Sequence, residues 1–274
     1  MKIVTARNNA ALKLAHKLTT KKGRDKEEAF LIEGEKLLEE ALKAGFQISH
    51  VFVRAGTETK DLLEKQIASE DNLIVLSDSL FDELSSTVTP QPIIAVVKTS
   101  KGEASPEKVV DAVVVAKGIK PSEIKAVILD RIGDPGNVGT IIRTACAAGF
   151  DVVITIKGSA DIYSDKVIRS SAGSIFHIPI IQGIPENDCL KLLDKINIDL
   201  MVCSAEGDSI YDTDISGGKA ILIGNEANGP QDIFYENAKG TISIPMEENA
   251  ESLNAAIAAA IVMYEKRRQD EDPR

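Results

Sequence analysis

Cysteine is scarce here: three residues in 274, Cys146, Cys189 and Cys203, with no CxxC spacing. A chain of this length needs no disulfide scaffold, and each cysteine, set in an apolar stretch, reads as a buried free thiol. His16, His50 and His177 have no Cys or His neighbour at metal-ligand spacing, so no metal is expected. The G-x-S-x-G elbow and the G-x-x-x-x-G-K-[ST] loop are both missing, which leaves a hydrolase triad and a P-loop ATPase without support. No apolar run approaches the roughly 18 residues that span a bilayer, so no membrane role is expected. The N-terminus has neither a continuous apolar core nor a small-residue cleavage site, and the expected location is the cytoplasm. What is present is 43% hydrophobic and 27% charged residues, enough for globular cores in about two domains at roughly 150 residues each.

The net charge of −10 argues against a polyanionic partner until its distribution is considered. Residues 1–26 carry eight basic side chains against Asp25 alone, a local +7, so the remaining 248 residues hold −17. Lys13, Lys17 and Lys21 recur at i, i+4 and form one stripe if the segment is helical, opposite Ala11, Leu14, Ala15 and Leu18. Such a stripe suits phosphate contacts or serves only as a solvated face.

Along the first hundred residues, strand patterns at Ala29–Gly34, Ile48–Val53, Leu73–Leu76 and Ile93–Val97 alternate with helical ones at Glu35–Ala44, Asp61–Ala68 and from Ser77. The polar run Lys98–Ser105 has linker composition. The expected domains are therefore 1–104 and 105–274. The second half opens on Ile124–Asp130, an almost unbroken apolar run that fits a strand buried on both faces of a parallel sheet. Similar strands are expected at Asp151–Ile156, Ile198–Ala205, Lys219–Gly224 and Gly240–Pro245. Helices are expected at Asn137–Ala148, Asn187–Ile196, Gln231–Asn237 and Ser252–Arg267. This alternation predicts an open α/β sheet, whose ligands bind beyond the carboxyl ends of the strands.

Three loops at such ends are unusual. RIGDPGNVG spaces Gly133, Gly136 and Gly139 before a helix that Asn137 is placed to cap, with Arg143 expected in its first two turns, where helix ends attract anions. This suits a phosphate or ribose site, or equally an ordinary tight turn. GNEANGP (Gly224 to Pro230) holds one carboxylate, Glu226, among residues that tolerate left-handed conformations. PMEENAESLNAAIAAA offers Ser252 as a helix N-cap ahead of alanines that permit close approach.

Together the segments DPGNVGTIIRTA (Asp134–Ala145), IGNEANG (Ile223–Gly229) and IPM with SLNAA (Ile244–Met246, Ser252–Ala256) resemble the SpoU (TrmH-like) family of RNA ribose 2'-O-methyltransferases in the SPOUT superfamily. Ser164–Ile180 resembles the stretch between the first two motifs, so the likeness covers residues 124–267. KKGRDKEEAFLIEGEKLLEEAL resembles the family's small L30e/L7Ae-like substrate-binding domain. The resemblance implies a parallel-sheet domain with a deep trefoil knot, a homodimer that completes the active sites, and S-adenosylmethionine as cofactor. It implies cofactor positions at Gly224, Ile244 and Leu253, with Ala205, Glu206, Asn225, Gly229 and Met246 nearby. Asn137, Arg143, Glu226, Ser252 and Asn254 match polar active-site positions. Asn225, Asn228 and Ala255–Ala256 depart mildly from the family pattern.

A sulfonium methyl is already electrophilic, so such an enzyme has chiefly to align a ribose hydroxyl and stabilise the developing alkoxide. Arg143, a poor proton acceptor, is expected to bind the adjacent phosphate, with Glu226 orienting Arg143 or the ribose. On this reading Lys13, Lys17, Lys21 and Arg24 contact RNA, with ribosomal RNA favoured over transfer RNA. A dinucleotide-dependent oxidoreductase is disfavoured because the glycines do not make G-x-G-x-x-G. A non-catalytic RNA-binding protein is disfavoured by the complete polar set.

Overall fold

The structure, a computed structural model, describes residues 3–58, 72–87, 89–99, 105–247, 249 and 252–272. The helix expected at Asp61–Ala68 and most of the expected linker lie outside these residues. The chain forms two compact units: Met1–Glu103 together with Tyr163–Arg169, and Ala104–Ile162 together with Ser170–Arg274.

In the first unit, α1 (Ala10–Leu18) and α2 (Lys21–Glu27) precede β1 (Ala29–Glu33), α3 (Glu35–Lys43), β2 (Ile48–Arg54), β3 (Leu73–Leu76), α4 (Asp78–Leu84) and β4 (Ile93–Lys98). The sheet order is β1-β4-β2-β3, with β4 antiparallel to both neighbours and β2 parallel to β3. Asn9 caps α1 by accepting from the Leu12 N–H. Leu12, Ala15 and Leu18 follow at three-residue spacing and pack with Phe52, Phe81 and Val96. Burying Leu12 alone contributes about 1.5–3 kcal/mol.

The single lysine stripe is not formed, because the helix stops between Lys17 and Lys21. Thr19 and Thr20 donate their hydroxyls to the carbonyls of His16 and Lys17, and Thr20 Oγ1 accepts from Gly23 N to start α2. A Cβ at Gly23 would fall 1.8 Å from the Lys17 carbonyl oxygen, so this corner closes only around glycine.

The second half contributes α5 (Pro106–Lys117), β5 (Ala126–Leu129), α6 (Pro135–Ala148), β6 (Val152–Ile156), α7 (Asp165–Ser171), β7 (Ile180–Ile184), α8 (Glu186–Ile196), β8 (Asp199–Ser209), β9 (Lys219–Ile223), α9 (Asp232–Glu236), β10 (Gly240–Ser243) and α10 (Ala255–Glu271). Its six strands run parallel in the order β10-β8-β9-β5-β6-β7. All residues of β5 and β6 are buried, as helices on both faces require. Val110 and Val113 of α5, Leu192 and Leu193 of α8 and Phe234 of α9 join one core cluster. α10 packs on α6.

Of the cysteines, only Cys189 is fully buried; Cys146 and Cys203 are half-buried. Lys266 of α10 is buried, donating to the carbonyls of Ile215 (3.0 Å) and Gly217 and pairing with Asp270 (3.2 Å), which docks the loop before β9 onto the helix. No helix among the described residues is long and apolar enough to cross a membrane.

Candidate active site

β5 and β9 lie side by side, but the chain leaving β5 proceeds to β6 and β7 while β8 and β10 lie on the far side of β9. The carboxyl ends of β5 and β9 therefore flank the point where connections diverge, the position at which open α/β sheets leave a crevice. Both glycine-bearing loops emerge there.

The first loop ends at Asp134, not Asn137. Asp134 is the N-cap of α6, its Oδ1 accepting from Asn137 N (3.0 Å), and Pro135 is the first helical residue. Proline at that place loses no needed N–H and has the right φ. Asn137 thus has its side chain available, and it donates from Nδ2 to Glu226 Oε1 at 3.0 Å. Arg143 is the ninth residue of α6, about 12 Å from its start at 1.5 Å per residue, beyond the reach of the helix terminus. Six residues separate it from Asn137, so it points about 120° away around the helix. It is exposed and makes no ion pair among the described residues. The carboxylate of Glu226 is bonded to Asn137 and to Gly133 N (3.3 Å), not to Arg143.

The third segment also starts its helix elsewhere than expected. Asn254, not Ser252, is the N-cap of α10, with Oδ1 accepting from Ala256 N (2.9 Å) and Ile257 N (3.3 Å). Asparagine caps as well as serine does, and being nearer the alanines it takes the position. Ser252 is exposed two residues ahead. Asn254 Nδ2 then donates to Asn137 Oδ1 at 3.0 Å. Asn137, Glu226 and Asn254 accordingly form one chain of hydrogen bonds across three loops. Burial pushes the Glu226 carboxyl upward, but hydrogen bonds from Asn137 and from the backbone of Glu226, Gly133 and Asp134 outweigh it, and the group sits below the ordinary carboxylate value.

Of the remaining predicted positions, Ala205 and Glu206 lie within β8, Gly224, Asn225 and Gly229 follow β9, Ile244 and Met246 follow β10, and Leu253 precedes α10. β8 departs from β10 between Val202 and Asp208, which pair with the successive residues Thr241 and Ile242, so the chain between them makes an excursion that exposes Ala205 and Glu206. Gly224 is closed upon by its own loop, where a Cβ would lie 2.3 Å from Pro230 N. Asn225 shapes that loop: its Oδ1 accepts from the N–H groups of Ala227 and Asn228, and its backbone carbonyl accepts from Gly229 N. Gly229 has φ +65°. Ile244 is half-buried, while Met246 and Leu253 are each 37% exposed. Large apolar side chains left open after β10 and ahead of α10 offer apolar surface to a ligand.

In the first unit Lys17 pairs with Glu27 (2.9 Å), Lys21 with Asp25 (3.1 Å), and Arg24 Nη1 donates to the Leu18 carbonyl (2.8 Å). Lys13 is exposed and has no partner among the described residues.

Sequence reasoning missed Asp130, Arg131 and Gln231. Asp130 is completely buried and accepts from Gln231 N (2.8 Å), Gln231 Nε2 (2.7 Å) and Arg131 Nε (3.1 Å). The available signal was an acid closing an otherwise apolar strand.

An all-parallel sheet with a polar chain at its switch point defines an α/β enzyme of the cofactor-binding kind. The profile of the SpoU rRNA Methylase family matches residues 125–264, and that of the MRM3-like substrate binding domain matches residues 9–95. The 23S rRNA (guanosine(2553)-2'-O)-methyltransferase RlmP of Bacillus subtilis is 34% identical over 279 residues, spanning 97% of this chain and 100% of its own. The crystal structure of the SpoU methyltransferase AviRb from Streptomyces viridochromogenes in complex with AdoMet superposes with a TM-score of 0.84 at 28% identity, over 97% of this chain and 100% of that one. An AdoMet-bound rRNA methyltransferase from Sinorhizobium meliloti gives 0.82 at 30% identity, over 98% of each chain. The chain belongs to the SpoU rRNA methylase family.

Proposed function

We propose that this protein transfers a methyl group from S-adenosylmethionine to a ribose 2'-hydroxyl of 23S rRNA in the cytoplasm, the guanosine equivalent to that of the Bacillus subtilis relative being the first candidate. The relative spans 97% of this chain at 34% identity, whereas a Streptomyces viridochromogenes uridine 2'-O-methyltransferase matches 62% of it. The observation that carries the reading is the Asn137–Glu226–Asn254 chain, formed by the three motif loops at the sheet's switch point.

The open apolar side chains of Met246 and Leu253, with the backbone of Gly224, Ile244, Ala205 and Glu206, fit the adenosyl and methionyl parts of the cofactor. When bound, that cofactor supplies the activated methyl. The protein's own work is alignment. Glu226, kept ionised by its donors, fixes Asn137, and Asn254 fixes it from the other side, so the site presents polar atoms in one orientation. Arg143 binds the phosphate next to the target ribose and favours loss of the hydroxyl proton. Ser252, exposed ahead of α10, is assigned the contact to the 2'-hydroxyl, which its exposure permits.

Arg143 faces away from Asn137 within its own chain, which supports a homodimer in which a second copy completes each site. On α10, Ile257 (52% exposed) and Tyr264 (49%) flank half-buried Ile261, an apolar stripe at i, i+4, i+7 left largely open among the described residues. A trefoil knot is supported by the path of the C-terminal segment: β10 is an edge strand, yet Asn254 reaches the start of α6 beyond β5, three strands away.

Lys13, Lys17, Lys21 and Arg24 of the first unit supply positive surface for the RNA. The deciding experiment maps ribose methylation in 23S rRNA from cells with and without the gene. One 2'-O-methyl group should be lost, and the purified enzyme with S-adenosylmethionine should restore it. An unchanged 23S rRNA map overturns the assignment.

A further inference from the structure

Arg131 occupies the left-handed region at φ +56°, a conformation that strains a side-chain-bearing residue by about 1 kcal/mol or more. Glycine there would remove the strain, so the side chain itself is what the position requires. Its Nε donates to the fully buried Asp130 at 3.1 Å, and Nη2 approaches the Gly229 carbonyl at 3.4 Å. Gly158, itself at φ +101°, leaves room for the stem: a Cβ there would lie 3.3 Å from Arg131 Cγ. Asp130 is held in turn by the backbone and side chain of Gln231, and Asn225 Nδ2 donates to the Arg131 carbonyl at 2.7 Å. The guanidinium is thus oriented through one edge, while its side chain stays 33% exposed.

A buried carboxylate that grips Nε and leaves the remaining guanidinium N–H groups free to donate makes a preorganised receptor for an oxyanion that presents two oxygens, as carboxylates and phosphates both do. Two anions come to this crevice on the methyl-transfer reading, on which the inference rests: an RNA phosphodiester and the cofactor's carboxylate. Arg131 touches the loop after β9 through Gly229 and Asn225, but its own segment leaves β5 and leads directly into α6, which carries Asn137. We propose that Arg131 is an RNA-binding residue contacting a phosphodiester beside the target ribose, and that Asp130 is the residue that positions it.

The test measures binding of protein-free, unmethylated 23S rRNA across a salt series, with calorimetric titration of S-adenosylmethionine in parallel. Arg131→Gly is the principal variant, because glycine accepts φ +56° without strain. It should fold, keep cofactor affinity within about twofold, bind RNA about tenfold more weakly, and lower the slope of log affinity against log salt by about 0.7–0.9. Arg131→Lys should retain the slope, since the charge remains, but turn over more slowly because a lysine lacks the oriented fork. Asp130→Asn should leave the salt slope near wild type and reproduce the turnover defect of Arg131→Lys. An unchanged slope in folded Arg131→Gly overturns the inference, and so does a defect confined to cofactor affinity. These binding readouts do not depend on turnover, so failure of the wild-type protein to methylate 23S rRNA would count against the functional reading alone.

Discussion

Asn254 Nδ2 lies 3.0 Å from Asn137 Oδ1, and the same Asn254 side chain receives two N–H groups of α10 on its oxygen. The order of donors and acceptors is therefore set from both ends. The helix N-terminus supplies only donors, Glu226 only acceptors, and the two asparagine amides between them have a single consistent orientation. Asn254→Ala removes both the cap and the link to Asn137, with an expected stability loss of about 1 kcal/mol. Asn254→Ser keeps the cap without the link. Its melting temperature should stay near wild type while methyl transfer falls about tenfold or more; equal turnover in Asn254→Ser and wild type would show that Asn254 only caps.

Arg143→Ala should abolish methyl transfer while calorimetric binding of S-adenosylmethionine is largely kept, because the exposed guanidinium makes no ion pair among the described residues. Retained turnover removes Arg143 from the mechanism.

The Glu226 carboxyl titrates below its ordinary value of 4.5 in the folded chain. Its ionised form is favoured by folding, so its contribution to stability is complete above pH 4.5 and is lost as pH falls through the depressed folded value. The difference in unfolding free energy between wild type and Glu226→Gln should be constant near neutrality and shrink only below that pH. A difference that grows on acidification contradicts this environment.

Ile257 and Tyr264 are the residues through which α10 is proposed to meet a second copy. The double change Ile257→Asp, Tyr264→Asp should give a folded monomer by sedimentation, with little turnover. A dimer of unchanged affinity would exclude this face.

In the basic segment 1–26, Lys17 and Lys21 already have carboxylate partners, while exposed Lys13, Lys22 and Lys26 have no ion pair among the described residues. Changing these three to glutamine should lower the salt slope of RNA binding by about 2–3 units. Changing Lys17 and Lys21 should have the smaller effect, because each releases an internal acid as it is lost.

Much of this was legible beforehand. The apolar strands and most helices follow from periodicity, and the helix end at Gly45 from its glycine; α5, α7 and β7, with weaker patterns, were not anticipated. The helix starts were misread wherever two capping residues stood close together. Asp134 lies beside Asn137, and Ser252 beside Asn254; which one caps depends on where the chain enters the helix, and the sequence pattern does not contain that direction. The lysine stripe failed similarly, since Thr19 and Thr20 are tolerable inside a helix and become a corner only when Gly23 packs on the Lys17 carbonyl.

By itself the sequence determined the kinds of element, the parallel sheet and the polar residues of the three loops, because caps, turns and hydrophobic periods act over a few neighbours. Tertiary structure alone decided that Asn137 would meet Glu226, 89 residues away, and Asn254, 117 away. It also turned Arg143 away from Asn137 and paired Arg131 with the buried Asp130 and the Gly229 carbonyl. Those contacts depend on strand order and on the path of the chain between strands, and a hydrogen bond between distant loops leaves no local pattern by which to read it.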